Sequence, residues 1–322
     1  MRRREFITLV GGAAALSCAA WPLAVRAQQA NLVRNIGLFV NTEEIVEPFR
    51  RYMKALGWEE RRNIRFLFAR TEGHSERASA LAGDLVAHNV DLIVPMGDPA
   101  IRAVQRATQT IPIVGMADDM IGSGLAASLA RPGGNMTGVS ILASELNVKR
   151  LEILHEFVPQ ARRIAVLADP TTISTRAQLT GAARDLGVEL VRFEARSPDE
   201  IVRALDAIAA ARVEAVNVLA SPVLNARRLQ IIDQFRDARL PAIYQFPEAA
   251  EDGGLLAYGP RIRLCYRMVV SLVDKVLRGA KPPDLPIEQP SKYELAVNLK
   301  TASAIGMTIS PTLLLRADNV IE

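Results

Sequence analysis

Cysteine is nearly absent. Cys18 and Cys265 are the only two in 322 residues. A disulfide scaffold cannot be built from them, so the fold must rest on buried apolar surface. Histidine is as scarce: His74, His88 and His155 stand at no metal-ligand spacing from a cysteine or from each other. Aromatic residues make up 5% of the chain. None interleaves with the basic run Arg61, Arg62 and Arg65, which therefore reads as a solvated face rather than a nucleic-acid surface. No Gly-x-Ser-x-Gly elbow occurs. Gly122-Ser123-Gly124 lacks the later glycine and the lysine of nucleotide loops, and reads as a turn at a helix start. Asp118 and Asp119 have no further carboxylate tied to them by spacing, so they read as a strand-end turn. These absences leave no catalytic constellation, and neither a cofactor nor a metal is expected.

Charge is present but unevenly placed. The net charge is +4, from 39 basic and 35 acidic residues. Residues 1–27 hold four arginines against one glutamate, so the remaining chain is nearly neutral. Arg2, Arg3 and Arg4 precede an uncharged run from Phe6 to Val25, and Val25-Arg26-Ala27 puts small residues at the −3 and −1 positions of a cleavage site. This is the layout of an export signal. Arg3-Arg4-Glu5-Phe6-Ile7 resembles the twin-arginine pattern, so residues 1–27 are expected to be a twin-arginine-type signal peptide leading to the periplasm. Gly11, Gly12 and Pro22 argue against the same run serving as a membrane span. Cleavage after Ala27 leaves Cys265 alone, without an intramolecular disulfide.

The remaining chain is longer than one average core needs, and 49% hydrophobic residues exclude disorder. Short apolar runs predict strands at 36–40, 64–68, 90–94 and 111–114, with helices at 47–56, 76–88 and from Pro99 onward. The pattern restarts after Gly138. Strands are predicted at 163–167, 188–193, 215–219 and 241–244, and helices at 145–157, 176–186, after the Ser197-Pro198 start, and from Pro222 through Ala238. A long helix follows at about 262–278, then a strand at 293–299 and a short helix at 301–305. Strand–helix alternation of this kind means parallel sheets covered by helices. The fold class is therefore α/β, with two doubly wound parallel-sheet lobes joined by a multi-crossing hinge. Crossings are expected near 139–143, 255–259 and 287–293. Residues 31–140 and 258–290 form lobe 1 in this division, and 141–257 and 291–322 form lobe 2.

Open α/β sheets bind ligands at the carboxyl ends of their strands. Polar turns fall there repeatedly. In lobe 1 they give Asn41, Thr42, Gly97, Asp98, Pro99, Ala100 and Asp119 as candidate ligand-binding residues; in lobe 2 they give Asp169, Thr172, Ser221, Tyr244 and Phe246. Several open helices, whose free N–H groups attract anions. Tyr244 and Phe246 could stack on a flat ligand.

Longer blocks carry a resemblance. Gly122 to Leu125 runs on through Ala-Arg-Pro-Gly-Gly-Asn135 to Thr137-Gly138. Leu240-Pro-Ala-Ile-Tyr244, Gly253-Gly254-Leu255, Asp284-Leu-Pro286, Asn298 to Ala302 and the ending Pro311 to Asp318 follow in order. Together they resemble the periplasmic substrate-binding proteins of the tryptophan/tyrosine-type ABC transporter family. The resemblance implies a class I periplasmic binding protein fold and an amino acid or related small molecule, often aromatic, held in a cleft. It also implies an ABC permease and its ATPase as partners, with no enzyme activity. Departures fall on the site-like turns. Asp98 stands where the family usually has Ser or Thr, Asp169 where it often has Asn, and Ser221 where it often has Asp. Asp119-Met120 replaces Asp-Pro. An aspartate at 98 repels a ligand carboxylate and favours an ammonium group or a hydroxyl donor. The expected function is thus the periplasmic solute-binding component of an ABC importer, a monomer with no nucleic-acid partner. The alternatives are an exported sensor or partner-presenting module of the same fold, and an exported α/β enzyme.

Overall fold

Short runs of β-branched and aliphatic residues, too short for helices, build two sheets in the computed structural model, which describes residues 33–41, 43–171 and 176–322. The expected signal segment 1–27 lies outside the described residues, as do Thr42 and Thr172. The first sheet contains β1 (Arg34–Val40), β2 (Ile64–Arg70), β3 (Leu92–Pro95), β4 (Ile113–Ala117) and β5 (Met136–Ser140), in the order β2-β1-β3-β4-β5. All its pairings are parallel. The second sheet contains β6 (Arg163–Ala168), β7 (Glu189–Glu194), β8 (Ala215–Val218), β9 (Ala242–Tyr244), β10 (Leu256–Gly259), β11 (Glu294–Asn298) and β12 (Asn319–Ile321). Its order is β12-β11-β10-β9-β8-β6-β7, and only the β10–β11 pairing is antiparallel.

The buried strands β3 and β8 have no exposed residue, as expected where helices cover both faces. The helix Val46–Ala55 packs Val46, Phe49 and Met53 against the first sheet. The long helix Ile262–Leu277 returns to the same cluster with Cys265, Val269, Val270 and Val273. Trp58 pins it there: its Nε1–H donates to Asp274 at 2.8 Å, and the Arg278 guanidinium lies 5.7 Å from its ring. The helix Ala143–Phe157 instead packs Leu151, Leu154 and Phe157 into the second lobe.

The chain crosses between lobes three times. It leaves β5 at Ser140 for the helix at Ala143, leaves β10 at Gly259 for the helix at Ile262, and leaves Glu288, which pairs with Val139, for β11. Two glycines let backbones meet near these crossings. A Cβ on Gly138 would lie 2.0 Å from the Gly115 carbonyl oxygen, and one on Gly259 would lie 2.1 Å from the Gln245 carbonyl oxygen. Helix starts follow the predicted chemistry. Ser197 caps Pro198–Ala210 by accepting from the Glu200 N–H. The helix expected to run from Pro222 through Ala238 is broken at Arg227 into Pro222–Ala226 and Arg228–Asp237. Among the described residues, no helix is long and apolar enough to cross a membrane.

Candidate functional site

The carboxyl ends of β1, β3 and β4 face those of β8 and β9 across a cavity partly open to solvent. Asn41, Met96, Gly97, Met116 and Asp118 line it from the first lobe. Ser221, Asn225, Gln245 and Phe246 line it from the second, and Ile262 and Tyr266 come from the returning helix. The walls are mostly apolar and the polar groups few, which is the usual composition of a small-molecule site. A smaller recess adjoins it, sharing Asn41 and Pro222 and adding Thr71, Pro99, Ala100 and Asp169.

The lobes touch around this space. Arg228 pairs with Glu44 of the first lobe and, at 2.7 Å, with Asp252 of its own. Gly97 approaches Pro222 so closely that a Cβ there would lie 2.6 Å from the proline Cγ. Gly73 meets Pro198 in the same way, at 2.9 Å.

The sequence candidates take different places. Asn41 and Gly97 face Ser221 and Phe246 across the cavity, and Pro99, Ala100 and Asp169 border the recess. Asp98 opens the helix Asp98–Ala107, is 2% exposed, and accepts from the Ser123 hydroxyl; its Oδ1 has no partner. Asp119 accepts from the Ile121 and Gly122 N–H groups at 3.2 and 2.9 Å and so fastens its own turn. Tyr244 packs in the second lobe's core. Asp98, Asp119 and Tyr244 line neither space. Asp169 is 3% exposed and accepts from the Ser221 hydroxyl at 2.7 Å and from the Thr171 N–H and hydroxyl at 2.8 and 2.6 Å. Ser221 also accepts from the Val223 and Leu224 N–H groups, capping the helix Pro222–Ala226. Ser221→Ala removes cap and donor together, and a thermal melt should show a loss of about 1–2 kcal/mol.

Asp118, Asn147, Arg150 and Tyr266 were not among the sequence candidates. Asp118 follows β4 at the position where the sheet rule places ligands, and that rule could have singled it out. Arg150 had no such signal, because one arginine in an amphipathic helix reads as surface. It is 0% exposed. One guanidinium nitrogen donates to the Tyr258 carbonyl at 2.9 Å and another to Asn147 Oδ1. Asn147 Oδ1 also accepts from the Ala220 N–H at 3.3 Å, and its carbonyl accepts from Asn217 at 3.1 Å. The hinge-proximal β10 and the end of β8 are thereby tied to one helix.

The electrostatics of the cleft are acidic. Burial pushes the Asp118 carboxyl up to about 8, Asp98 and Asp169 push it further, and Arg150 opposes them. Burial likewise raises Asp98, against the Ser123 hydrogen bond. Burial draws Arg150 down to about 9, with Asp118 as the main opposing charge. Among the described residues, no Lys, Arg or His lines the cavity. Among the described residues, no group of three or more His, Cys, Asp or Glu is arranged to hold a metal.

Two α/β lobes, triply connected and facing each other with strand ends inward, define a class I periplasmic binding protein fold. Residues 40–321 match the family described as "ABC transporter substrate binding protein", and the chain belongs to that family. A tyrosine-binding protein of Clostridioides difficile (strain R20291) is 25% identical over 300 residues, covering 89% of this chain and 84% of that protein. Two solved structures are similar in fold. One is a conserved domain protein from Vibrio cholerae O1 biovar El Tor, with TM-score 0.79, 24% identity, and 90% of this chain and 99% of that one covered. The other is an ABC domain in complex with L-Trp from Streptococcus pneumoniae, with TM-score 0.78, 23% identity, and 90% and 100% covered.

Proposed function

We propose that this protein is the solute-binding component of an ABC importer. It is exported to the periplasm, closes its two lobes on a small molecule and hands it to the permease and its ATPase. The carrying observation is a cavity walled by both lobes, since only such a site makes ligand affinity depend on closure. Binding energy is then stored as a conformation a permease can read. The tyrosine-binding relative and the L-Trp complex support an amino acid or a related aromatic compound as cargo. Asn41, Gly97, Ser221 and Phe246 border the ligand directly in this reading. In this reading the protein binds and releases its solute without turnover.

A thermal-shift screen of amino acids, aromatic acids, amines and sugars tests this. A ligand at a hundred times its dissociation constant adds about 2.7 kcal/mol to stability and raises Tm by several degrees. No shift across the whole screen would reject solute binding and favour a partner-presenting role.

A further inference from the structure

We propose that Asp118 is the anchor for a ligand cation, and that the solute is a monocationic amine on an apolar, preferably aromatic body, without a free carboxylate. This rests on the solute-binding reading and narrows it.

Asp118 is 9% exposed, lines the cavity, and receives no hydrogen bond from any described donor. A buried carboxylate without donors is costly unless something else supplies them. The charged groups that face it are Asp98 at the start of the helix Asp98–Ala107, Asp119 in its own turn, Asp169 after β6, and Arg150 in the helix Ala143–Phe157. Three carboxyls surround it and one guanidinium opposes them. Two of that guanidinium's nitrogens are committed to Tyr258 and Asn147; its Nε has no partner, and Arg150 does not line the cavity. The missing partner is therefore a donor with positive charge, and an ammonium group entering the cavity supplies both. Among the described residues, no charged side chain in the cavity provides for the opposite end of a zwitterion. The described polar side chains of the cavity other than Asp118 are neutral, chiefly Asn41, Asn225, Gln245 and Ser221. Met96, Met116, Phe246, Ile262 and Tyr266 suit an apolar or aromatic body.

Closure gives the carboxyl a second role. Closing an empty cleft buries Asp118 without a partner, and it then favours the protonated form. A ligand ammonium replaces that proton. Proton and amine thus compete for one site, and the ligand-free protein resists closing while Asp118 is ionised.

Isothermal titration of the purified protein with tyramine, phenethylamine, L-tyrosine, L-phenylalanine and 3-phenylpropionate tests the proposal. The amines should bind more tightly than the amino acids and the acid by about tenfold or more, the scale of one unmatched charge. Asp118→Asn, nearly the same shape, should weaken amine binding by about thirtyfold while keeping or raising Tm. In the unmodified protein, amine affinity should fall by about tenfold or more from pH 8 to pH 5, because protons compete for the carboxyl. The same titration in Asp118→Asn should be flat, a difference that a merely structural role for Asp118 does not produce. Tighter binding of L-tyrosine or 3-phenylpropionate than of tyramine would overturn the amine assignment and leave solute binding intact. Amine affinity unchanged in Asp118→Asn would remove Asp118 as the anchor. Binding of other screened solutes, but of no amine, would also reject this proposal alone, whereas an entirely inert screen rejects both readings.

Discussion

Gly97→Ala is expected to weaken ligand binding about a hundredfold while both lobes stay folded. Two facts combine at this position. Gly97 has φ +93° and ψ 153°, a backbone conformation that side-chain-bearing residues rarely adopt. A Cβ there would also lie 2.6 Å from the Cγ of Pro222, which belongs to the opposite lobe. The proline cannot retreat cheaply. Its ring is rigid, and it opens a helix whose first N–H groups are fastened to Ser221. The added methyl therefore acts as a wedge at the point where the lobes meet. The backbone strain costs about 1–3 kcal/mol of stability, but the wedge costs only the closed state. Calorimetric affinity for a ligand found in the screen should collapse, while the urea midpoint of the free protein moves modestly. An unchanged affinity would mean that the Gly97–Pro222 contact is not part of the liganded form.

The lobes themselves were readable because burial on both sheet faces leaves unbroken apolar runs, such as Ile164 to Leu167. The β5 strand was not readable. Its Gly138 looks like a break in a strand, yet only glycine permits the close approach of β5 to the Gly115 carbonyl. The break at Arg227 was hidden for a different reason, since its neighbours all favour helix. In the site, turn positions were legible but side-chain directions were not. Asp98 and Asp119 both sit in the right turns. One bonds Ser123 and the other bonds its own turn, while Asp118, beside them, lines the cavity. The family departures at 169 and 221 also become one change rather than two. Asp169 accepts from the Ser221 hydroxyl at 2.7 Å, so an acid and its neutral partner face each other whichever position carries the acid.

Arg150→Met should be the most destabilising single change, by about 3–5 kcal/mol in urea or thermal unfolding, because removing one member of a buried charge set strands the rest. Methionine retains most of the apolar packing and isolates the loss of charge and hydrogen bonds. The Tyr258 carbonyl loses its donor and Asn147 Oδ1 loses one of two. Asp118 loses the cation that opposes its neighbours Asp98 and Asp169. The pH dependence distinguishes these effects. A carboxyl whose folded pKa lies above its unfolded value keeps its proton longer in the folded state, so stability falls as pH rises from about 4 to about 8. Without Arg150 the folded pKa of Asp118 rises further, and the fall continues to higher pH. The penalty of Arg150→Met should accordingly be smallest near pH 5 and largest above pH 8. Adding Asp118→Asn should recover the pH-dependent part and leave the part due to Tyr258 and Asn147. A penalty equal at both pH values, in single and double variants alike, would show that Arg150 holds the hinge by hydrogen bonds alone and does not compensate the acidic cleft.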